Sequence, residues 1–145
     1  MQRYESDRQI WWLARSREVM RKISVKITKL MIYPKSEDAR KYINRDAYFE
    51  MLVADHAYQR NMQRFKQMHE KYGRKHEGEG LMSFFERSAC EVCVKALNMG
   101  AKPSKDGIIN MIRNEFIWVF DMSRGVPALV TLYPRDRKMV AGEVE

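Results

Sequence analysis

The sequence predicts an α+β domain, with an N-terminal helix and strand, then two central helices packed on a small antiparallel sheet. Three observations predict it. Ala47, Met51, Ala54, Tyr58, Met62, Phe65 and Tyr72 recur at helical spacing over one long stretch. A second helical pattern follows, with Phe85, Ala89, Val92, Cys93, Ala96 and Leu97 on its apolar side. Three short apolar runs separated by turn residues then close the chain.

The opening helix is expected over Asp7 to Lys22, where Ile10, Trp11, Leu13, Ala14, Val19 and Met20 supply apolar content. Trp11 and Trp12 are adjacent, so both cannot enter one narrow stripe. One of the two is left half-exposed, and the stretch suits packing on the rest of the domain, a partner interface or a stacking platform. Ile23, Val25 and Ile27 alternate with Ser24, Lys26 and Thr28, the period of a half-buried strand, and Leu30 to Tyr33 extend the apolar run to Pro34. Residues 34–44 read as a charged connector with a short helix.

The first central helix is expected from Asp46, as its N-cap, to about Tyr72, with Gly73 as its stop. The polar segment 73–80 has three glycines and lacks the order of a phosphate-binding P-loop. Ser83 with Glu86 forms a capping box for the second helix, which Asn98 and Gly100 close. The strand runs are Ile108 to Ile112, Phe116 to Phe120 and Ala128 to Tyr133. Strict alternation in the last would put Leu129, Thr131 and Tyr133 on one face, and Val130 and Leu132 on the other.

The chain has 145 residues, the size of a single domain, and 27 Lys and Arg against 19 Asp and Glu. That excess favours a polyanionic partner: RNA or another nucleic acid, an acidic protein, or an anionic surface. Residues 1–29 hold eight basic and three acidic groups. Arg60, Arg64, Lys66, Lys71, Arg74 and Lys75 face only Glu70 within residues 60–76, and Arg113 with Arg135 to Lys138 forms a third cluster. A fold that brought the second and third clusters together would make an electropositive surface. Cys90 and Cys93, the only cysteines, lie inside a helical pattern and read as buried structural thiols in a reducing compartment. No run approaches the roughly 20 apolar residues of a membrane-spanning helix, and no signal peptide pattern opens the chain, so the expected location is cytoplasmic. No cofactor or metal is expected.

The candidate chemistry lies on the first central helix. His56 and Arg60 are one turn apart and off the apolar stripe, and Arg64 continues the row. An imidazole titrates near neutrality and can carry a proton, while a guanidinium matches phosphate oxygens bidentately. Together they suit metal-independent RNA cleavage, in which the 2′-hydroxyl attacks phosphorus. A solvated helix face would account for them equally. Tyr133 and Thr131 on the last strand could orient a substrate. Arg113, Arg124, Arg135 and Arg137 could contact backbone phosphates. A cleaving enzyme should place His56 and Arg60 in a concavity close to Tyr133 or Arg135, whereas a pure binder would spread its cations over a broad stripe.

Asp55-His56-Ala57-Tyr58-Gln59-Arg60, the helix end Ala96-Leu97-Asn98-Met99-Gly100 and the strand Val130-Thr131-Leu132-Tyr133-Pro134 resemble the corresponding parts of BrnT-like proteins, in the wider group of RelE and barnase-like ribonucleases. The resemblance spans residues 54–138 and leaves residues 1–45 as an N-terminal extension. It implies RNA binding and endoribonuclease activity of a toxin-like kind, with His56, Arg60 and Tyr133 as catalytic groups and an antitoxin as partner. The alternative is a non-catalytic nucleic-acid binder, or an oligomeric accessory protein of a phage or plasmid acting through protein contacts.

Overall fold

A computed structural model describes residues 19–72 and 79–135, except for the side chains of residues 60, 61, 63, 64, 68 and 72. Its architecture is α+β, with the helices packed on a five-stranded sheet. In chain order the strands are β1 (Met20–Lys26), β2 (Tyr48–Ala54), β3 (Ile108–Arg113), β4 (Phe116–Asp121) and β5 (Ala128–Pro134). The helices are the short α1 (Glu37–Arg40) and the two long ones, α2 (Asp55–Tyr72) and α3 (Leu81–Asn98). The sheet order is β1-β2-β5-β4-β3. All neighbours run antiparallel except β2 and β5, which are parallel through Leu52↔Ala128 and Val53↔Leu129. The sheet is therefore mixed, not purely antiparallel.

The N-terminal part differs from the helical expectation where it can be seen. Met20, Arg21 and Lys22 belong to β1, which pairs along its whole length with β2. The rest of the expected helix lies outside the described residues. The strand also stops earlier than expected. Ile27–Lys29 form one 3-10 turn, and no strand continues through Leu30 to Tyr33. Asn98 holds the segment that follows: its Oδ1 accepts from the backbone N–H of Lys35 and Ser36 at 2.9 and 3.0 Å, and its Nδ2 donates to the Tyr33 carbonyl at 2.8 Å. Ser36 then caps α1, its hydroxyl accepting from the Ala39 N–H.

The largest correction concerns residues 46–54. They are a turn and a strand, and α2 begins only at Asp55. Ala47 has φ +68°, which no N-terminal helical turn adopts. Phe49, Met51 and Val53 alternate into the core from β2. The helical spacing of Met51, Ala54 and Tyr58 arises because the strand runs into the helix with no intervening loop. The expected capping box is absent as well. Gly80 is the N-cap of α3 with no side-chain bond, and Glu86 instead accepts from the Tyr58 hydroxyl at 2.9 Å. Gly100, at φ +85°, closes α3 as expected, with its N–H on Leu97 and the next on Ala96.

One face of the sheet carries the main core. Phe65 of α2 and Phe85 of α3 pack edge-on at 4.7 Å, and both rings meet Trp118 of β4. Phe49, Met51, Val53, Phe120, Leu129 and Leu132 complete the sheet side of this core. Cys90 and Cys93 are buried in it as free thiols, and burial raises the pKa of both. Among the buried ions is Arg87 of α3, which binds Glu79 and Glu91.

A bulge in β5 changes the facing expected there. Thr131 pairs with Val119 and Leu129 with Phe120, so Val130 is an extra residue. Leu129 and Leu132 consequently both reach the helix-side core. Thr131 and Tyr133 share the other face with Ile117 and Val119, their partners on β4, and Val130 joins this second cluster.

Candidate functional site

At one end of the sheet, around the tight turn between β3 and β4, Lys71 of the second basic cluster comes near Arg113 and Arg135 of the third. Asn114 and Glu115 make that turn with φ of +54° and +70°, the conformation a two-residue hairpin requires. The Glu115 carbonyl accepts from the Arg135 N–H at 2.8 Å, which fixes the exit of β5 beside the turn. Its carboxylate takes the ammonium of Lys71 at 2.9 Å, which brings the last turn of α2 to the same place. Arg113 ends β3 and pairs across to Phe116, whose own partner on the other side is Pro134. Lys71, Arg113 and Arg135 thus lie at the same turn, with the Lys71 ammonium on the Glu115 carboxylate and Arg135 held through its backbone. Lys71 and Arg135 are exposed and Arg113 is half-buried. Arg137 lies outside the described residues.

His56 is elsewhere. It is the second residue of α2, half-buried, at the end that follows directly on β2. Fifteen residues separate it from Lys71 along the same helix, a rise of about 22 Å. The helix therefore divides the candidate residues, with His56 and the backbone of Arg60 near its start and the Arg113 and Arg135 cluster at its end. Arg64 lies between them on α2, its side chain, like that of Arg60, being outside the description.

Around the start of α2 the structure assembles a group that spacing alone did not reveal. The guanidinium of Arg21 stacks over the Tyr58 ring at 4.8 Å and reaches Asp55 at 3.4 Å. The Tyr58 hydroxyl donates to Glu86 of α3. Burial, followed by the Glu86 charge, raises the Tyr58 pKa, so this phenol is a neutral donor at physiological pH. The group ties β1, α2 and α3 together. Its sequence signal was available only once Tyr58 was seen to be a buried ring with a polar tip that needs a partner.

The remaining candidates have structural surroundings. Arg124 donates through Nε to Asp121 at 3.1 Å, and that buried carboxylate also accepts from the Ser123 N–H and hydroxyl, which shapes the β4–β5 connection. Thr131 is buried at the centre of the sheet, and Tyr133 is half-buried two residues before Arg135. The ring of His69 packs on Phe84, and its Nε2 donates to the Glu79 carbonyl at 2.9 Å. Among the described residues no group of three or more His, Cys, Asp or Glu side chains is placed to hold a metal ion, and no helix is long and apolar enough to cross a membrane. Comparison with family models, curated proteins and solved structures returned no match.

Proposed function

We propose that this chain is an RNA-binding domain of the RelE and barnase-like kind, which grips the phosphate backbone through the cationic end of its sheet. The observation that carries the reading is the convergence of Lys71, Arg113 and Arg135 on the β3–β4 turn. Three chain segments bring cationic residues to this one turn, Lys71 through the Glu115 carboxylate and Arg135 through the Glu115 carbonyl. Guanidinium and ammonium groups on such a surface bind phosphate and release counterions. The order of elements from residue 55 to 134 also supports the family reading. A helix carrying His56 is followed by a helix closed at Gly100 and by a three-stranded meander ending at Pro134.

Binding is better supported than cleavage. Acid, base and phosphate-stabilising cation must all lie within hydrogen-bond reach of one phosphodiester. His56 lies about 22 Å along α2 from the Arg113 and Arg135 cluster, so Arg60, one turn further on, is the cation a His56-based cleavage would have to use.

The test is the salt dependence of binding to a labelled single-stranded RNA, with Lys71→Ala, Arg113→Ala and Arg135→Ala combined in one variant. Each lost phosphate contact on a single strand lowers the log–log salt slope by about 0.7, so the triple variant should lose about 2. An unchanged slope in a folded triple variant would remove this surface from the binding site. The same RNA, followed for metal-free cutting by wild type and His56→Ala, decides whether the domain also cleaves.

A further inference from the structure

The apolar run from Leu30 to Tyr33 is only half absorbed by the fold. Leu30 and Ile32 pack against the main core, and Pro34 is buried. Met31 and Tyr33 alternate with them and are 48 % and 50 % exposed. The segment runs along α3, held by side chains of that helix. Glu91 accepts from the Met31 N–H, and Asn98 binds the Tyr33 carbonyl and the N–H groups of Lys35 and Ser36. Glu91, Lys95 and Asn98 follow one another at single turns, so they lie on one stripe of α3. Met99, next to Asn98, is 68 % exposed. Three large apolar side chains therefore emerge beside a stretch of α3 about 10 Å long. Apolar side chains scattered singly over a surface are ordinary, whereas a group of them marks a contact.

We propose that this surface docks an acidic amphipathic helix of a partner protein, whose apolar side chains sit on Met31, Tyr33 and Met99. Charge selects the partner. Lys35 is exposed and Lys95 half-buried beside the patch, and Lys29 and Lys102, which flank it in the chain, are exposed. Against them stand Glu37 and Asp38 of α1, and Asp38 is bonded to Lys102 at 2.8 Å. Glu91 is buried and already bound to Arg87. A rim of this sign favours acidic side chains across the contact. A second copy docked through the same patch would set lysine against lysine, on a chain whose net charge is already +8. A phosphate backbone would satisfy the lysines but not the two methionines, whose flexible side chains mould to apolar surface. Spacing selects the helix. Anchors at positions i, i+3 or i+4, and i+7 of a helix span about 10 Å, the rise from Glu91 to Asn98 along α3.

The patch shares no residue with the Lys71, Arg113 and Arg135 surface, so the inference stands apart from the RNA-binding reading. The full-length chain is used to select from a displayed library of random peptides about 16 residues long, roughly four helical turns. Counter-selection uses the double variant Met31→Ser, Met99→Ser, whose fold is checked by its urea midpoint. Lys35→Glu is a second variant that leaves the apolar side chains in place. Enriched peptides should carry an acidic excess and apolar residues at helical spacing, and each variant should weaken them at least about tenfold. No enrichment over the double variant, or enriched peptides without an acidic excess, would overturn the proposal. Sedimentation of the wild type and the double variant separates the other occupants. Self-association that the double variant abolishes would assign the patch to a second copy. RNA binding lost in the double variant would assign it to nucleic acid, and either result overturns the proposal. Failure of the RNA-binding reading shows instead as an unchanged salt slope in the Lys71, Arg113 and Arg135 variant, which leaves peptide binding as it was.

Discussion

Replacing Arg87 by alanine should be the most damaging single truncation on α3. Arg87 is 4 % exposed. It donates through Nε and Nη2 to the two oxygens of Glu79 at 2.8 and 2.9 Å, and through Nη1 to Glu91 at 2.7 Å. The same Glu91 oxygen accepts from the Met31 N–H at 2.7 Å, so the network also fastens the segment after β1 to the helix. Burial pulls the pKa of the guanidinium down, but its bonds to Glu79 and Glu91 more than offset this and hold it above the ordinary value. Arg87→Ala strands two carboxylates whose side chains are only 11 % and 8 % exposed. Breaking a buried ionic network from one side costs about 3–5 kcal/mol. With a urea dependence of roughly 2 kcal/mol per molar, the unfolding midpoint should fall by about 2 M. The companion variant Arg87→Met, Glu79→Leu, Glu91→Gln removes the charges together and keeps an acceptor for Met31. It should recover all but about 1 kcal/mol. A fall of less than about 0.5 M for Arg87→Ala at unchanged slope, or a triple variant no better than the single one, would refute the reasoning.

Three further outcomes follow from local geometry. Gly107→Ala should cost about 1–2 kcal/mol in urea unfolding, because φ there is +82° and the new methyl would meet the Ser123 Cβ at 3.3 Å; an unchanged midpoint would show that the turn relaxes freely. Asn98→Ala removes three hydrogen bonds to the backbone of residues 33–36, so amide exchange in that segment should accelerate while the meander β3–β5 stays protected; equal acceleration everywhere would mean global destabilisation instead. Cys90, Cys93 and Tyr58 all have raised pKa values in the folded chain, so the unfolded chain loses these protons first. Their contribution is fully present below about pH 8.5 and declines as pH rises past the thiol and then the phenol values of the unfolded chain, near 8.5 and 10. Urea midpoints from pH 7 to 10.5 should be flat and then fall, and a rise across that range would contradict the burial of these groups.

The meander, the two long helices and the buried cysteines were legible because each has a local signal. Turn residues separate the strands, Gly100 closes α3, and the thiols sit among apolar neighbours at helical spacing. The start of α2 was not legible from period alone. Phe49, Met51 and Val53 alternate as a strand, but Met51, Ala54 and Tyr58 also satisfy a helical count, and only tertiary pairing with β1 chooses between them. The facing of β5 was hidden for a related reason. A single extra residue at Val130 leaves no trace in the composition, yet it moves Leu129 to the other side of the sheet. For the candidate site, sequence could count cations but could not tell which would meet. Spacing placed His56 and Arg60 together, which is a property of one helix. The meeting of Lys71, Arg113 and Arg135 depends on where three elements end.

The parallel seam between β2 and β5 has a consequence for synthesis on the ribosome. The β1–β2 pair and the β3–β4–β5 meander are each built from contacts close in sequence, whereas Leu52 meets Ala128 across 76 positions. Contacts of such separation form late, because the intervening chain must first be closed into a loop. The nascent chain therefore carries β2 with one bare edge until its last strand has emerged, and that edge is the part of the molecule most in need of shielding during translation.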